Sequence, residues 1–102
     1  MRQRAQRLHL FGLVQSLSYV VRLNDLKTTQ HLRARLGGVL RRPHNLPKPL
    51  HDDLNDLWEI SGLWVRNVGN RQEIKPQISR LISRIVPGLR YRRPVRRRMT
   101  KT

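Results

Sequence analysis

The sequence predicts a small α+β domain, and observations between residues 50 and 93 support this prediction. Two stretches repeat apolar side chains with a helical period, and each is followed by a short stretch rich in β-branched, aromatic or alternating residues. Glycine and proline residues separate the stretches, as expected for breaks between elements. The predicted order in this core is therefore helix, strand, helix, strand.

The first predicted helix starts at Leu50 and ends at Gly62, since glycine at a helix end adopts positive φ without a Cβ clash. Asp52 and Asp53 fall in its predicted first turn, where the helix dipole favours anions. Its apolar stripe has the spacing i, i+4, i+7, i+8 and consists of Leu50, Leu54, Leu57 and Trp58.

Two short strands are predicted after the two helices. The segment from Trp64 to Val68 is strand-like, and Gly69-Asn70 has turn chemistry. Alternation from Leu89 to Arg92 predicts the last strand. We assign Trp58 to the core, and Trp64 to the core in preference to stacking on a nucleic-acid base, because a single aromatic residue without neighbours is not a stacking platform.

The second predicted helix starts at Pro76, where the missing N–H costs nothing, and stops at Pro87-Gly88. Arg80 and Arg84 lie opposite its apolar stripe, with no carboxylate expected nearby, which suits a phosphate-bearing partner. The plainer interpretation is a solvated face. The stripe itself consists of Ile78, Leu81, Ile82, Ile85 and Val86.

Residues 1–49 are predicted to hold a first strand, an insertion and a proline-rich connector. The apolar segment Leu8 to Leu23 is too short and polar for a transmembrane helix, and no small-x-small cleavage site follows it as in a secretory signal. A mitochondrial targeting helix fits better, because the start is arginine-rich and acid-free. A strand from Leu8 to Gln15 is the other interpretation. The targeting helix would carry Leu10, Leu13, Val14, Leu17 and Val21.

The next segment, Asn24 to Leu40, has two interpretations. Thr28 or Thr29 could cap a short helix closed by Gly37-Gly38, or residues 26–33 could form a strand. The connector from Arg41 to Pro49 contains three prolines, which hold it extended. It is either a phosphate-contacting loop or a plain linker.

Charge indicates the partner. The 102 residues contain 22 Lys and Arg, 18 of them arginine, against 6 Asp and Glu, for a net charge of +16. Arginine binds phosphates bidentately and stacks on bases, which favours RNA or DNA as the partner. Acids occur only between Asp25 and Glu73, and residues 94–102 form a basic tail too poor in apolar residues to fold alone.

Signals for catalysis are absent from the sequence. There is no cysteine, and the four histidines lack metal-ligand spacing. His51 beside Asp52 and Asp53 could bind a cation, but a helix N-terminus explains those carboxylates more simply. Since no Gly-rich phosphate loop, nucleophile elbow or catalytic carboxylate pair is found, we predict a protein that is not an enzyme and has no cofactor and no metal.

The core pattern is similar to large-subunit ribosomal protein family thirty, the universal L-thirty family. The resemblance rests on Gly62-Leu63, on Pro76 and the apolar positions after it, and on residues 7–16, which look like the family's first strand. It covers about half of the chain through small and apolar residues. The sequence departs from the family in a long insertion from Leu17 to Pro49, which shrinks if the first strand is Leu26 to Arg33. It also has Trp64 and Val65 where the family is basic, so the RNA contact is expected to pass to Arg66.

The resemblance implies a β-α-β-α-β unit, a three-stranded antiparallel sheet with two helices on one face, here with basic N- and C-terminal extensions. It also implies a structural protein that binds ribosomal RNA beside neighbouring ribosomal proteins, with no small-molecule substrate and no stable membrane insertion. The arginine-rich start points to the mitochondrial matrix and its ribosomes.

The function expected from these observations is a structural constituent of the mitochondrial large ribosomal subunit. The alternatives are another small mitoribosomal protein of either subunit, a non-ribosomal basic nucleic-acid-binding protein, and a membrane-active peptide fused to a small domain. The residues predicted to contact RNA phosphates are Arg41, Arg42, Arg66, Arg71, Arg80, Arg84, Arg90, Arg92, Arg93, Arg96, Arg97 and Arg98.

Overall fold

The computed structural model describes residues 2–42 and 46–89, and in this part every regular element is helical. The α-helices are α1 (Arg2–Arg22), α2 (Leu26–Arg41), α3 (Lys48–Arg66) and α4 (Arg71–Leu89), with a 3-10 turn at Val68–Asn70. No strand occurs in the described ranges. The predicted α+β fold, with its three-stranded antiparallel sheet, is therefore wrong.

The helices form an antiparallel four-helix bundle. Consecutive helices pack together, and α4 closes the bundle against α1. Two hydrogen bonds fix this closure: Lys75 Nζ, near the start of α4, donates to Arg22 O at the end of α1 (3.2 Å), and an Arg7 Nη donates to Gly88 O (3.2 Å). Short connections between antiparallel neighbours are typical of such bundles.

The core confirms most of the predicted apolar stripes. On α3, Leu54 and Leu57 are fully buried, and Trp64 is buried as predicted. Trp58 is half-buried and packs against the core. Four of the five stripe residues of α4 are buried and Val86 packs beside them. On α1 the stripe noted for a targeting helix is buried throughout: Leu10, Leu13, Val14, Leu17 and Val21.

The predicted strands are wrong because each of these segments either has a helical apolar period of its own or continues the period of the preceding helix. Residues 8–15 lie inside α1, and the alternative first strand, residues 26–33, lies inside α2. Residues 64–66 form the last turn of α3, and Val68 belongs to the 3-10 turn. Leu89 ends α4, and the rest of the predicted last strand, Arg90 to Arg92, falls outside the described residues.

Gly62 does not end a helix. It lies inside α3, where a Cβ would come within 2.6 Å of the Arg33 guanidinium. Gly37 in α2 is likewise internal, since a Cβ there would lie 2.6 Å from the Trp58 indole nitrogen. Both glycines therefore allow side chains of the facing helix to approach the backbone. In the sequence, a glycine with this packing role cannot be distinguished from a glycine that ends a helix.

Helix starts also differ from the predictions. α4 begins at Arg71, so Pro76 and Pro87 are internal, and α3 begins at Lys48, which places Asp52 and Asp53 beyond its first turn. α2 is longer than the predicted short helix, and Asp25 caps it instead of a threonine. Asn24 precedes this cap with φ of 59°, a left-handed conformation that asparagine tolerates better than most residues.

Candidate nucleic-acid interface

Several cations are engaged within the bundle. Arg7, Arg33, Arg71 and Lys75 are each partly buried and donate to backbone carbonyls of a different helix. Three of the four act at helix C-termini, where carbonyls lack intrahelical donors and the helix dipole favours positive charge. Part of the arginine excess therefore serves the fold.

Arg71 shows this role most clearly. Its Nε donates to Trp64 O (2.8 Å) and an Nη donates to Val65 O (2.6 Å), so one guanidinium satisfies two carbonyls in the last turn of α3. Its Cζ lies 5.8 Å from the centroid of the buried Trp64 ring. The structure thus places Arg71, a predicted RNA contact, on the protein's own backbone.

Arg33 joins α2 to α3. Its Cζ lies 4.1 Å from the centroid of the Trp58 ring, within cation–π range, and its Nε donates to Trp58 O (2.7 Å). Burial lowers the pKa of Arg33, and the positive charge of Arg66 lowers it further. Nothing in the sequence distinguished Arg33 from a surface arginine, because its partners lie on another helix.

Arg80 and Arg84 lie in a groove between α3 and α4, which we call the α3–α4 groove. An Arg84 Nη contacts Asp53 Oδ1 at 3.1 Å, and the groove also contains Asp56 and Glu59. The expectation that no carboxylate would lie near these arginines is therefore wrong. Helix α4 carries no acid close to them, and α3 supplies the acids across the groove.

The outward side of α2 has a different character. Lys27, His31 and Arg35 follow at four-residue intervals, and Arg41 and Arg42 continue the surface at the end of the helix. All five side chains are exposed, and none forms an ion pair within the described part of the chain. Each four-residue step advances about 6 Å along a helix axis. We call this surface the α2 basic face.

Asp25, the acid nearest to the α2 basic face in the sequence, is occupied at the helix start. Its carboxylate accepts from Thr28 N (3.1 Å) and from the Thr28 hydroxyl (2.7 Å). The hydrogen bond from the Thr28 hydroxyl lowers the pKa of Asp25 most, and the bond from Thr28 N lowers it further. Helix α2 itself contains no acidic residue. The charge of Asp25 also acts on Lys27 at the start of the face, whereas Arg35, Arg41 and Arg42 have no acid on their own helix.

The twelve predicted RNA contacts separate into groups. Arg41 and Arg42 lie on the α2 basic face, Arg66 is exposed at the end of α3, Arg80 and Arg84 line the α3–α4 groove, and Arg71 caps α3. Lys27 and Arg35 also lie on the α2 basic face but were not predicted, although they are spaced eight residues apart in an acid-free segment. The remaining predicted contacts lie outside the described residues: Arg90, Arg92, Arg93, Arg96, Arg97 and Arg98.

An extended, acid-free row of cations can bind a phosphate backbone by neutralising charge and releasing counterions. Within the described ranges, no group of three or more His, Cys, Asp or Glu residues is placed to hold a metal ion. None of the described helices combines the length and apolar character needed to span a membrane.

Comparison with protein-family models, with curated proteins and with solved structures produced no match for this chain.

Proposed function

We propose that this protein is a non-catalytic, RNA-binding structural component of a ribonucleoprotein particle. The observation that carries the proposal is the α2 basic face, which has five exposed basic or titratable side chains and no acid within the helix. Side chains on an α-helix cannot read the narrow major groove of A-form RNA, so the contacts are to phosphates and shape. Binding is then strongly salt-dependent.

The particle we propose is the large subunit of the mitochondrial ribosome. The arginine-rich, acid-free chain start supports a mitochondrial location, and the residues after position 89 add seven further cations and no acid. The resemblance to family thirty gives this placement no structural support, because that family's sheet is not present in the described residues. The placement therefore depends on charge distribution.

Neighbouring ribosomal proteins are the other proposed partners. The outward side of α1 exposes Leu8 and Tyr19, and residues 8–21 carry no Asp, Glu, Lys or Arg. This uncharged side, unlike the α2 basic face, suits a protein surface better than a phosphate backbone.

Sedimentation of tagged protein from mitochondrial lysate on a sucrose gradient tests the particle. We expect co-migration with the large subunit that withstands moderate salt and is lost after RNase treatment. Co-migration with the small subunit would keep the RNA-binding proposal and reject the large-subunit placement. A protein that stays at the top of a gradient with intact ribosomes would reject the ribosomal placement altogether.

RNA binding itself is tested with purified protein and RNA and DNA duplexes of equal length. We expect saturable binding whose logarithm falls linearly with the logarithm of salt concentration, with A-form RNA bound at least as tightly as B-form DNA. Tighter binding to DNA at all salt concentrations would favour the alternative of a basic DNA-binding protein.

A further inference from the structure

A second surface with the chemistry of a binding site lies between α1 and α4. A cleft of about 410 Å³ opens beside the end of α1 and the first half of α4. Its volume falls within the range of about 300–1,000 Å³ that is usual for small-molecule sites. We call it the α1–α4 cleft. Its polar lining consists of Ser18, Arg22, Gln72, Lys75 and Ser79.

The polar lining suits a phosphate group. Arg22 and Lys75 provide two positive charges, Ser18 and Ser79 provide two hydroxyls, and no acid lines the cleft. Guanidinium, ammonium and hydroxyl groups are the donors that recognise phosphate oxygens. In contrast, the α3–α4 groove pairs Arg84 with Asp53 and also contains Asp56 and Glu59, so it does not favour an anion.

Lys75 is held in position before any ligand arrives. Its Nζ donates to Asn24 Oδ1 (2.9 Å) and to Arg22 O (3.2 Å), and an ammonium group has three N–H donors. The third donor is therefore available to a ligand. Ordering of a lysine side chain normally costs conformational entropy on binding, and these two bonds have already fixed it.

The rest of the lining is apolar, and the cleft extends beyond the space that a phosphate group would fill. Val21, Ile78 and Ile82 provide an aliphatic wall, and Pro76 adds its ring. Because Pro76 has no N–H, it cannot donate the usual helical hydrogen bond to the carbonyl of Gln72. Gln72 lines the cleft, and its carbonyl, without that donor, can accept from a ribose hydroxyl or a base amino group.

We propose that the α1–α4 cleft binds a nucleoside monophosphate unit, with the phosphate on Arg22 and Lys75 and the ribose and base against the aliphatic wall. The unit is either a free nucleotide or an unpaired nucleotide within RNA. Since α4 packs on α1 and α3 and not on α2 in the described structure, this site is separate from the α2 basic face.

Titration of the full-length protein with adenosine 5′-monophosphate, with inorganic phosphate and with adenosine as separate probes tests the cleft. We expect saturable one-to-one binding of the monophosphate and weaker binding of each fragment. Arg22→Gln should weaken the binding of the monophosphate about tenfold, which is the usual effect of losing a charge-assisted contact. Absence of saturable binding to the wild-type protein would overturn the proposal.

Arg80→Gln is the matched control, because it also removes one positive charge, but from a residue of α4 that lines the α3–α4 groove. It should change monophosphate affinity by less than about twofold. Equal weakening by the two variants would show general charge attraction and reject the cleft. Ser79→Ala, with Ser83→Ala as control, repeats the comparison without changing charge, and circular dichroism of each variant verifies folding.

Competition with RNA distinguishes the two sources of the ligand. If the cleft holds an unpaired nucleotide, the monophosphate displaces single-stranded RNA but not a duplex. If it holds a free nucleotide, the monophosphate and both RNAs bind independently. An Arg35→Gln variant, which alters the α2 basic face alone, should lose RNA affinity and keep monophosphate affinity, so failure of the cleft and failure of the proposed RNA function are separable.

Discussion

The α2 basic face and the α3–α4 groove both expose arginines, yet their electrostatic environments differ. On α2, Arg35 and Arg41 have no acid on their own helix and no ion-pair partner among the described residues. In the groove, Arg84 pairs with Asp53, and Arg80 lies near Asp56 and Glu59. The position of the acids, more than the number of arginines, therefore distinguishes the surface that we propose for a polyanion from the groove.

The same contrast holds for the two halves of the chain. Residues 1–42 carry nine cations and one acid, whereas residues 46–89 carry six cations and five acids. The second half is nearly neutral, and the net charge of +16 comes from the first half and from the residues after 89.

Arg71→Met should lower the free energy of unfolding by about 1–3 kcal/mol, because two carbonyls at the end of α3 lose a charged donor. Chemical denaturation measures this change. Arg66→Met is the control, since Arg66 is exposed at the same helix end and forms no ion pair in the described structure, and it should cost less than about 0.5 kcal/mol. Equal losses would show that Arg71 is not a cap.

Removing acids should turn the α3–α4 groove into a second polyanion surface. The double variant Asp56→Asn, Glu59→Gln should raise RNA affinity by about three- to tenfold at low salt, because Arg80 and Arg84 lose nearby negative charge. Fluorescence anisotropy with labelled duplex RNA measures it. The control is the double variant Asp52→Asn, Glu73→Gln, which makes the same charge change away from that groove. An equal gain in RNA affinity for the control would show that the α3–α4 groove does not differ from the rest of the surface.

The inner and outer sides of α2 should respond oppositely to alanine. Gly38→Ala should stabilise the protein by up to about 1 kcal/mol, because the helix gains propensity and the added Cβ meets nothing within 4 Å. Gly37→Ala should destabilise it, since that Cβ comes within 2.6 Å of the half-buried Trp58 indole. Thermal unfolding of the two variants gives the signs, and stabilisation by both would contradict the close α2–α3 packing.

Asp25 should contribute through its cap and not through neutralisation of the face. Its pKa is lowered, so the stabilisation from its charged form is present above its ordinary pKa near 3.8 and is lost as pH falls through the lower folded value. The melting-temperature difference between wild type and Asp25→Asn should thus be constant near neutral pH and shrink below about pH 4. A difference that persists at acidic pH would exclude the charge as its cause.

The sequence revealed the buried stripes better than the elements that carry them. The helical period from Leu10 to Val21 is recognisable in the sequence and is buried, but the segment was interpreted as a targeting helix or a first strand and not as a core helix. Gly62 suggested a helix end, whereas its real constraint is Arg33, which lies on another helix and cannot be inferred from local sequence. Because the predicted helix ended at Gly62, the run from Trp64 to Val68 was free to match a strand pattern.

Prediction of the candidate interface met the same limit. Arg41 and Arg42 were predicted as RNA contacts because both lie in the short proline-rich connector. Lys27 and Arg35 were not predicted, because their segment had two competing interpretations. The pairing of Arg84 with Asp53, and of Arg71 with the end of α3, depends on tertiary packing. Charge composition supports the proposed class of partner, while the choice between the α2 basic face and the α3–α4 groove required the bundle.

The decisive measurement is the salt dependence of duplex RNA binding for two double variants. One carries Arg35→Gln and Arg41→Gln on the α2 basic face, and the other carries Arg80→Gln and Arg84→Gln in the α3–α4 groove. Both double variants remove two arginines, so the net charge falls equally. We expect the salt slope to fall by about two units for the α2 variant and by less than about half a unit for the groove variant. Equal falls, or a larger fall for the groove variant, would contradict binding through the α2 basic face.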